Sequence, residues 1–295
     1  MTGAAAHPAR LTIGVVGTGR VGSVLGAALA RAGHTVVAAY AVSAESRARA
    51  ERLLPGVPLR PADEVVRNAG VALIATPDDV LADVVAGLAA AGAFSPGQLV
   101  VHVCGRYGLE VLEPAAAAGA LPLALHPVMT FAGAPEDLQR LTGSTFGVTA
   151  PELLRPVAEA LVIDMAGEPV WVPAAARPIY HAALVYAANN VVTLTTSAAQ
   201  VLSEAGITDP ARLLGPLLGA SLDNALRRGD QAMTGPVSRG DAGTVRVHLA
   251  ALRAQAPELV APYIALARLT AERALQAGML AADQAEGLLE VLAAQ

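Results

Sequence analysis

Leu11-Thr12-Ile13-Gly14-Val15-Val16-Gly17-Thr18-Gly19-Arg20-Val21-Gly22 decides the fold of this chain. Leu11–Val16 is a short apolar run of strand character. It leads directly into Gly17-Thr18-Gly19-Arg20-Val21-Gly22, and an Ala-rich helical stretch, Val21–Ala32, follows. Strand, glycine turn and helix in this order form the context in which GxGxxG binds the pyrophosphate of a dinucleotide. Gly17 permits the tight turn, Gly19 lets a phosphate approach the backbone, and Gly22 lets the helix pack close to the strand. The helix start then offers unpaired N–H groups and the positive end of its dipole. Thr18, Arg20 and Val21 complete the expected cofactor-binding turn.

The next strand refines the expectation. An NAD site usually closes this strand with an acidic residue that holds the ribose 2′-hydroxyl. Here the strand ends Tyr40-Ala41-Val42-Ser43, and no acid occurs before Glu45. Without that carboxylate, a 2′-phosphate meets no repulsion. Ser43 is a hydrogen-bond donor for it and Arg47 a charged one. The sequence therefore points to NADP. A plain helix cap at Ser43 is the alternative. Ala75-Thr76-Pro77 ends a later strand and is expected to line the nicotinamide half of the cleft.

Strand-like runs alternate with helical segments through the first half. The strands are Leu11–Val16, Thr35–Tyr40, Val71–Ala75, Gln98–Val103 and Leu121–Leu125, with Thr145–Val148 and Pro169–Val172 to follow. This alternation implies an α/β fold with right-handed crossovers and a parallel sheet covered by helices on both faces. From Ala174 onward only helices are expected, the first running from Arg177 to Ala205. The reading gives two domains, residues 1–173 and 174–295, the second all-helical.

Composition removes several functional classes. The net charge is −5, with no basic run, so nucleic acid is not an expected partner. No apolar span has the length and continuity of a membrane helix, and Met1–Arg10 lacks the apolar core of a signal peptide. A cytoplasmic protein is expected. The single Cys104 allows no disulfide within one chain. All 20 basic residues of the Lys+Arg count are arginines, which excludes Schiff-base chemistry, a lysine acid and a Walker-type phosphate loop. Six histidines are scattered without a paired metal-ligand spacing, so no metal site is expected.

Candidates for chemistry fall in four places. His126 follows a strand and can face the cleft, whereas Cys104 reads as a buried thiol. On the long helix, His181 shares a broad face with Asn189, and Tyr180 and Tyr186 flank it. Asn189-Asn190 sits within an otherwise apolar helix, where burial demands a partner for each amide. The loop Thr234–Val245 is dense in glycine and polar groups just before a helix, with Arg239 as a fork for an anion. Asp241 and Thr244 are alternative caps for that helix. Asp78 reads as the cap of the helix after Pro77.

Together these motifs resemble a family that joins a Rossmann-like domain to a C-terminal domain of unknown function 2520. The resemblance rests on the Gly17–Gly22 turn, Ala75–Asp78, His102–Gly105, His126–Phe131, Tyr180–Asn190 and Thr234–Val245. The plan is similar to that of 6-phosphogluconate dehydrogenase-like enzymes and pyrroline-5-carboxylate reductase. The resemblance implies an NADP-binding fold and a homodimer through the helical domain. It supplies no substrate. The lysine of hydroxyacid dehydrogenase relatives, four residues before an asparagine, has no counterpart: Val185 precedes Asn189 and Tyr186 precedes Asn190. The expected activity is NADP(H)-dependent hydride transfer to or from a small anionic carbonyl or imine compound. His181, His126 and Tyr186 are the candidate proton donors, Asn189 the orienting group and Arg239 the anion anchor. The alternatives are a pyrroline carboxylate-type imine reductase and a non-catalytic NADP(H) sensor.

Overall fold

The computed structural model describes residues 10–293. Residues 1–9, on which the signal-peptide reading rests, lie outside the described residues. The chain divides into two compact units, residues 1–187 and 188–295.

The first unit is built on a seven-stranded sheet. Its strands are β1 (Thr12–Val16), β2 (Thr35–Tyr40), β3 (Val71–Ile74), β4 (Leu99–His102), β5 (Leu121–Pro127), β6 (Thr145–Thr149) and β7 (Glu168–Trp171). Their order across the sheet is β2-β1-β3-β4-β5-β6-β7. Every neighbouring pair is parallel except β5 and β6, which run antiparallel. The five strands of the predicted alternation are parallel as expected, and the sheet departs from parallel only where β6 joins β5. A buried strand's apolar pattern does not encode direction.

Alternating side chains are buried on both sheet faces, as a doubly covered sheet requires. Ile13, Val15, Leu73, Val101, Leu123 and Leu125 pack on one face with Val24, Leu25 and Leu29 of helix α1 (Arg20–Arg31). Leu161 and Val162 of helix α7 (Arg155–Asp164) join them. Val16, Ala72, Ile74 and Val100 pack on the other face, against Val65 and Val66 of α3 (Ala62–Arg67) and Leu81, Val85 and Leu88 of α4 (Leu81–Ala90). Three further helices complete this unit: α2 (Ala44–Leu53), α5 (Glu113–Ala117) and α6 (Asp137–Arg140). The short helices α3 and α6 were not expected from the sequence.

The chain moves from β2 at the sheet edge, past β1, to β3 on its other side. The crevice at the carboxyl ends of β1 and β3 is thus the switch point, where such sheets bind ligands.

Helix α8 (Arg177–Glu204) contains the boundary between the units. The second unit continues with α9 (Pro210–Arg228), α10 (Ala242–Gln255), α11 (Val260–Gln276) and α12 (Ala282–Ala293). Its core is Val245 and Leu249 of α10, Ile264, Ala267, Ala271 and Ala274 of α11, and Ala285, Leu288 and Leu292 of α12. No residue of α9 is buried. No helix among the described residues is long and apolar enough to cross a membrane.

Candidate active site

The Gly17–Gly22 turn sits at the switch point. Gly17 has φ +100°, and a Cβ there would lie 2.6 Å from the carbonyl oxygen of Ala75. A Cβ on Gly22 would come within 2.7 Å of that of Ala75. These two glycines are demanded by the protein's own packing. Gly19 is different: a Cβ there would meet nothing within 4 Å. It is the N-cap of α1, contributes no side-chain cap, and is followed by no acidic residue in the first turn. An open space therefore faces the exposed N–H groups and positive dipole end of a 12-residue helix.

A second observation bears on the fit of a dinucleotide. Thr76 Oγ1 is buried and has no hydrogen-bond partner. A buried hydroxyl left unpaired is costly unless a ligand supplies the partner. Gly19, Arg20, Val21, Ala75, Thr76 and Pro77 all line one cavity of about 400 Å³. The residues present fit a dinucleotide whose phosphates lie over Gly19 and whose far half reaches Thr76. Thr18 contributes only backbone: its hydroxyl is buried and donates to the carbonyl of Ser46 at 3.0 Å.

The same cavity contains His126 and His181, with Gly105, Val103, Met129 and Phe131. His126 lies in β5, near its carboxyl end, and its Nδ1 is 2.9 Å from the Tyr180 hydroxyl. The His126 and His181 rings meet edge to face, with centroids 5.6 Å apart. Burial, then electrostatic interaction with His181 and Arg177, pushes the pKa of His126 down to about 3. His126 is therefore a neutral imidazole at ordinary pH, and His181 is the remaining histidine in the cavity for proton carriage.

Arg177, one turn before His181 on the same face of the long helix, underlies this arrangement. It is fully buried. Its Nε donates to Thr149 Oγ1 at 2.8 Å, Nη1 to the Cys104 carbonyl at 3.0 Å, and Nη2 to the carbonyls of Ala124 and Gly147 at 3.0 and 2.8 Å. It thereby ties together β5, β6 and the loop after β4. Among the described residues no carboxylate pairs with it. His102 is also structural. Its Nδ1 accepts from the Cys104 N–H, its Nε2 donates to the Gly108 carbonyl at 2.7 Å, and burial holds its pKa down to about 4. Burial raises the Cys104 thiol to about 11, so it is inert as a nucleophile.

Asp78 also lines this cavity, whereas Ser43, Arg47 and Tyr186 do not. Ser43 caps α2 by accepting from the Ser46 N–H at 3.1 Å. Both Ser43 and Arg47 are exposed. The Arg47 side chain has no hydrogen bond or ion pair among the described residues, whereas Arg49 donates to the Thr18 carbonyl and Arg52 to that of Gly133. Asp78 does not cap α4: the N-cap is Val80, and the Asp78 carboxylate lies 4.0 Å from Arg106 Nε. Tyr186 is 56% exposed, farther along α8.

In the second unit, Asn189 and Asn190 are exposed. The expected penalty for burying their amides therefore does not arise, because they sit on a solvent-facing stretch of α8. The loop before α10 is capped from within. Asp241 accepts from the Thr244 N–H at 3.0 Å and from its hydroxyl at 2.7 Å. A carboxylate of the loop itself thus holds that helix start. Arg239 is exposed beside it. This unit also has a mostly apolar cavity of about 720 Å³, whose lining includes the hydroxyls of Thr193, Ser197, Thr234 and Thr270 and the pair His248 Nδ1 and Tyr263 hydroxyl, 3.0 Å apart. Among the described residues, no group of three or more His, Cys, Asp or Glu is placed to hold a metal ion.

Comparison with known families agrees with this geometry. Residues 1–127 match the Rossmann-like domain model, and residues 144–270 match the domain of unknown function DUF2520. The two matches lie side by side along the chain, the Rossmann-like one first. No curated protein matches it. Among solved structures, one similar fold is a candidate NADP oxidoreductase of Bacteroides fragilis. It is 22% identical, with 89% of this chain and 98% of that one covered and a TM-score of 0.76. An imine reductase from a Pseudomonas species is 21% identical over 96% of this chain and all of its own, with a TM-score of 0.66. A reductive aminase from Aspergillus terreus, in complex with NADPH, is 20% identical, with 95% and 98% covered and a TM-score of 0.66. At these identities the likeness is one of fold.

Proposed function

We propose that this Rossmann-like, DUF2520-containing chain is an NADP(H)-dependent oxidoreductase acting on a small carbonyl or imine compound. One observation carries the reading. The uncapped α1 start at Gly19, the orphaned Thr76 hydroxyl and the His126–His181 pair line a single cavity. A dinucleotide site and a proton-carrying site thus adjoin. The names of the similar structures, which include an NADP oxidoreductase and an imine reductase, support the same class.

A bound nicotinamide supplies or accepts the hydride. The chain's own residues do the rest. The α1 N–H groups hold the pyrophosphate, and Thr76 bonds the nicotinamide half. Ser43, the N-cap of α2, and Arg47 in its first turn favour the 2′-phosphate of NADP over the bare ribose of NAD. Val103, Met129 and Phe131 limit water in the cleft. His181 gives or takes the proton at the substrate oxygen or nitrogen. Arg239 and Asn189 are proposed, from their residue types, as anion-binding and orienting groups. Tyr186 is a further proton-donor candidate.

A homodimer is proposed on separate grounds. Leu213, Leu217, Leu222 and Leu226 of α9 are 54%, 62%, 54% and 80% exposed, and Val191 and Val192 of α8 are also exposed. An apolar surface of this kind marks an association face; a second copy is the proposed occupant. Sedimentation should give twice the chain mass of 29.7 kDa. The free, buried Cys104 is consistent with a cytoplasmic setting.

Gly19→Asp tests the functional reading. The new side chain enters open space at a helix N-cap, so the fold is retained. Its carboxylate takes the place of the phosphate, and NADPH affinity should fall by at least ~100-fold, about 2.7 kcal/mol. Unaltered affinity would remove the assigned cofactor position. Cofactor consumption with a panel of keto acids and cyclic imines then separates an enzyme from a sensor, which binds NADPH and turns nothing over.

A further inference from the structure

The reading of the cleft as the reaction site leaves open what His126 does there, and its neighbours answer this. We propose that Tyr180 is a positioning residue that locks His126 in its Nε2–H tautomer, giving the cleft a neutral hydrogen-bond donor suited to a carbonyl oxygen rather than a protonated imine.

The geometry has three parts. First, the Tyr180 hydroxyl is 2.9 Å from His126 Nδ1, and among the described residues it has no other hydrogen-bond partner. Its proton needs an acceptor, and Nδ1 is the one within reach. Burial, partly countered by the Arg177 charge, keeps the phenol protonated at working pH. With Nδ1 accepting, the single proton of a neutral imidazole sits on Nε2. Second, the phenol reaches this position because residue 147 of β6 is glycine. A Cβ there would collide with the Tyr180 hydroxyl. Third, the missing side chain of Gly105 lets the His181 ring pack beside His126 Nε2. A Cβ on Gly105 would lie 3.0 Å from His126 Nε2 and would collide with the His181 ring. His126, His181 and Gly105 line one cavity, which gives a ligand atom access to this pair.

A neutral N–H donor pairs with an acceptor, and a carbonyl oxygen offers lone pairs while a protonated imine offers another N–H. The buried Arg177 charge adds to this. It favours an oxygen that gains negative charge and repels a cation. Its effect is already visible in the lowered basicity of His126.

The test begins with the apo protein, labelled with ¹⁵N-histidine and assigned by His126→Gln. Long-range proton–nitrogen spectra should show His126 with a bare Nδ1 and a protonated Nε2. Tyr180→Phe should convert this to a mixture of tautomers. A protonated Nδ1 in the wild type, or no change in Tyr180→Phe, would overturn the lock. If Tyr180→Phe does not fold, the wild-type spectrum alone decides. The second arm uses NADPH with pyruvate and with 1-pyrroline as probes. Pyruvate reduction should exceed that of 1-pyrroline, and Tyr180→Phe should lower kcat on pyruvate ~10-fold with NADPH affinity unchanged. Reduction of 1-pyrroline alone would overturn the carbonyl preference. Failure to bind NADPH at all would instead sink the underlying functional reading and leave the tautomer result standing.

Discussion

Replacing Arg177 with Met should both destabilise the first unit and make His126 more basic. The guanidinium is fully buried and donates four hydrogen bonds, to Thr149 Oγ1 and the carbonyls of Cys104, Ala124 and Gly147. Bonds from a charged donor contribute about 1.5–3 kcal/mol each, or roughly 6–12 kcal/mol for four. Burying the cation costs several kcal/mol, which the substitution recovers. The expected net loss is about 3 kcal/mol, a fall in Tm of about 6–12 °C for a unit of this size. Methionine fills most of the volume, so packing loss adds little. Removing the charge also removes one of the causes that hold His126 near 3, so its pKa should rise. Thermal unfolding followed by circular dichroism reads the first effect and an NMR titration of the His126 ring the second. A Tm within about 1 °C of wild type, with the His126 titration unmoved, would refute the assignment of Arg177 as the clamp beneath the site.

Further outcomes follow from the same geometry. Gly105→Val should place methyl groups against His126 and His181, filling the reaction space, so turnover should drop at least ~100-fold while NADPH binding persists; retained turnover would argue against catalysis at these rings. Acid should weaken the fold through His102, whose pKa of about 4 when folded lies below its ordinary 6.5. The unfolded chain then holds a proton that the folded one lacks. Stability is full above pH ~6.5 and falls as pH drops towards ~4, by about 3 kcal/mol from this group. Urea denaturation of wild type and His102→Gln across that range measures it, and parallel curves would contradict it. The buried, weakly acidic Cys104 should resist iodoacetamide at pH 8 until the chain is denatured, as mass spectrometry would show.

Much of the fold was legible because its signals are local. The Gly17–Gly22 turn, the alternation of strands and helices and the switch to helices after Pro173 all follow from pattern and turn chemistry. The misses have physical causes. The six residues of α3 and four of α6 are too short for helical periodicity to declare itself. The antiparallel step between β5 and β6 leaves the same apolar pattern as a parallel one. The site was legible where a residue ends a strand, as His126 does, or faces out from the glycine turn. It was hidden where function depends on an absent side chain, as at Gly105 and Gly147, or on burial of a charge. Nothing local to Arg177 announces that three carbonyls will converge on it from separate strands and a loop. Conversely, polar density in Thr234–Val245 suggested a ligand, and much of it serves the Asp241–Thr244 cap.

The measurement that bears most directly on the cofactor site is calorimetric titration of the purified wild type and Gly19→Asp with NADPH and with NADH. The geometry predicts tight NADPH binding to the wild type, at least ~10-fold weaker NADH binding, or about 1.4 kcal/mol, and loss of both in Gly19→Asp with the melting temperature preserved. Binding of neither nucleotide by the wild type, or equal NADPH binding by Gly19→Asp, would contradict a dinucleotide cleft at the Gly17–Gly22 turn.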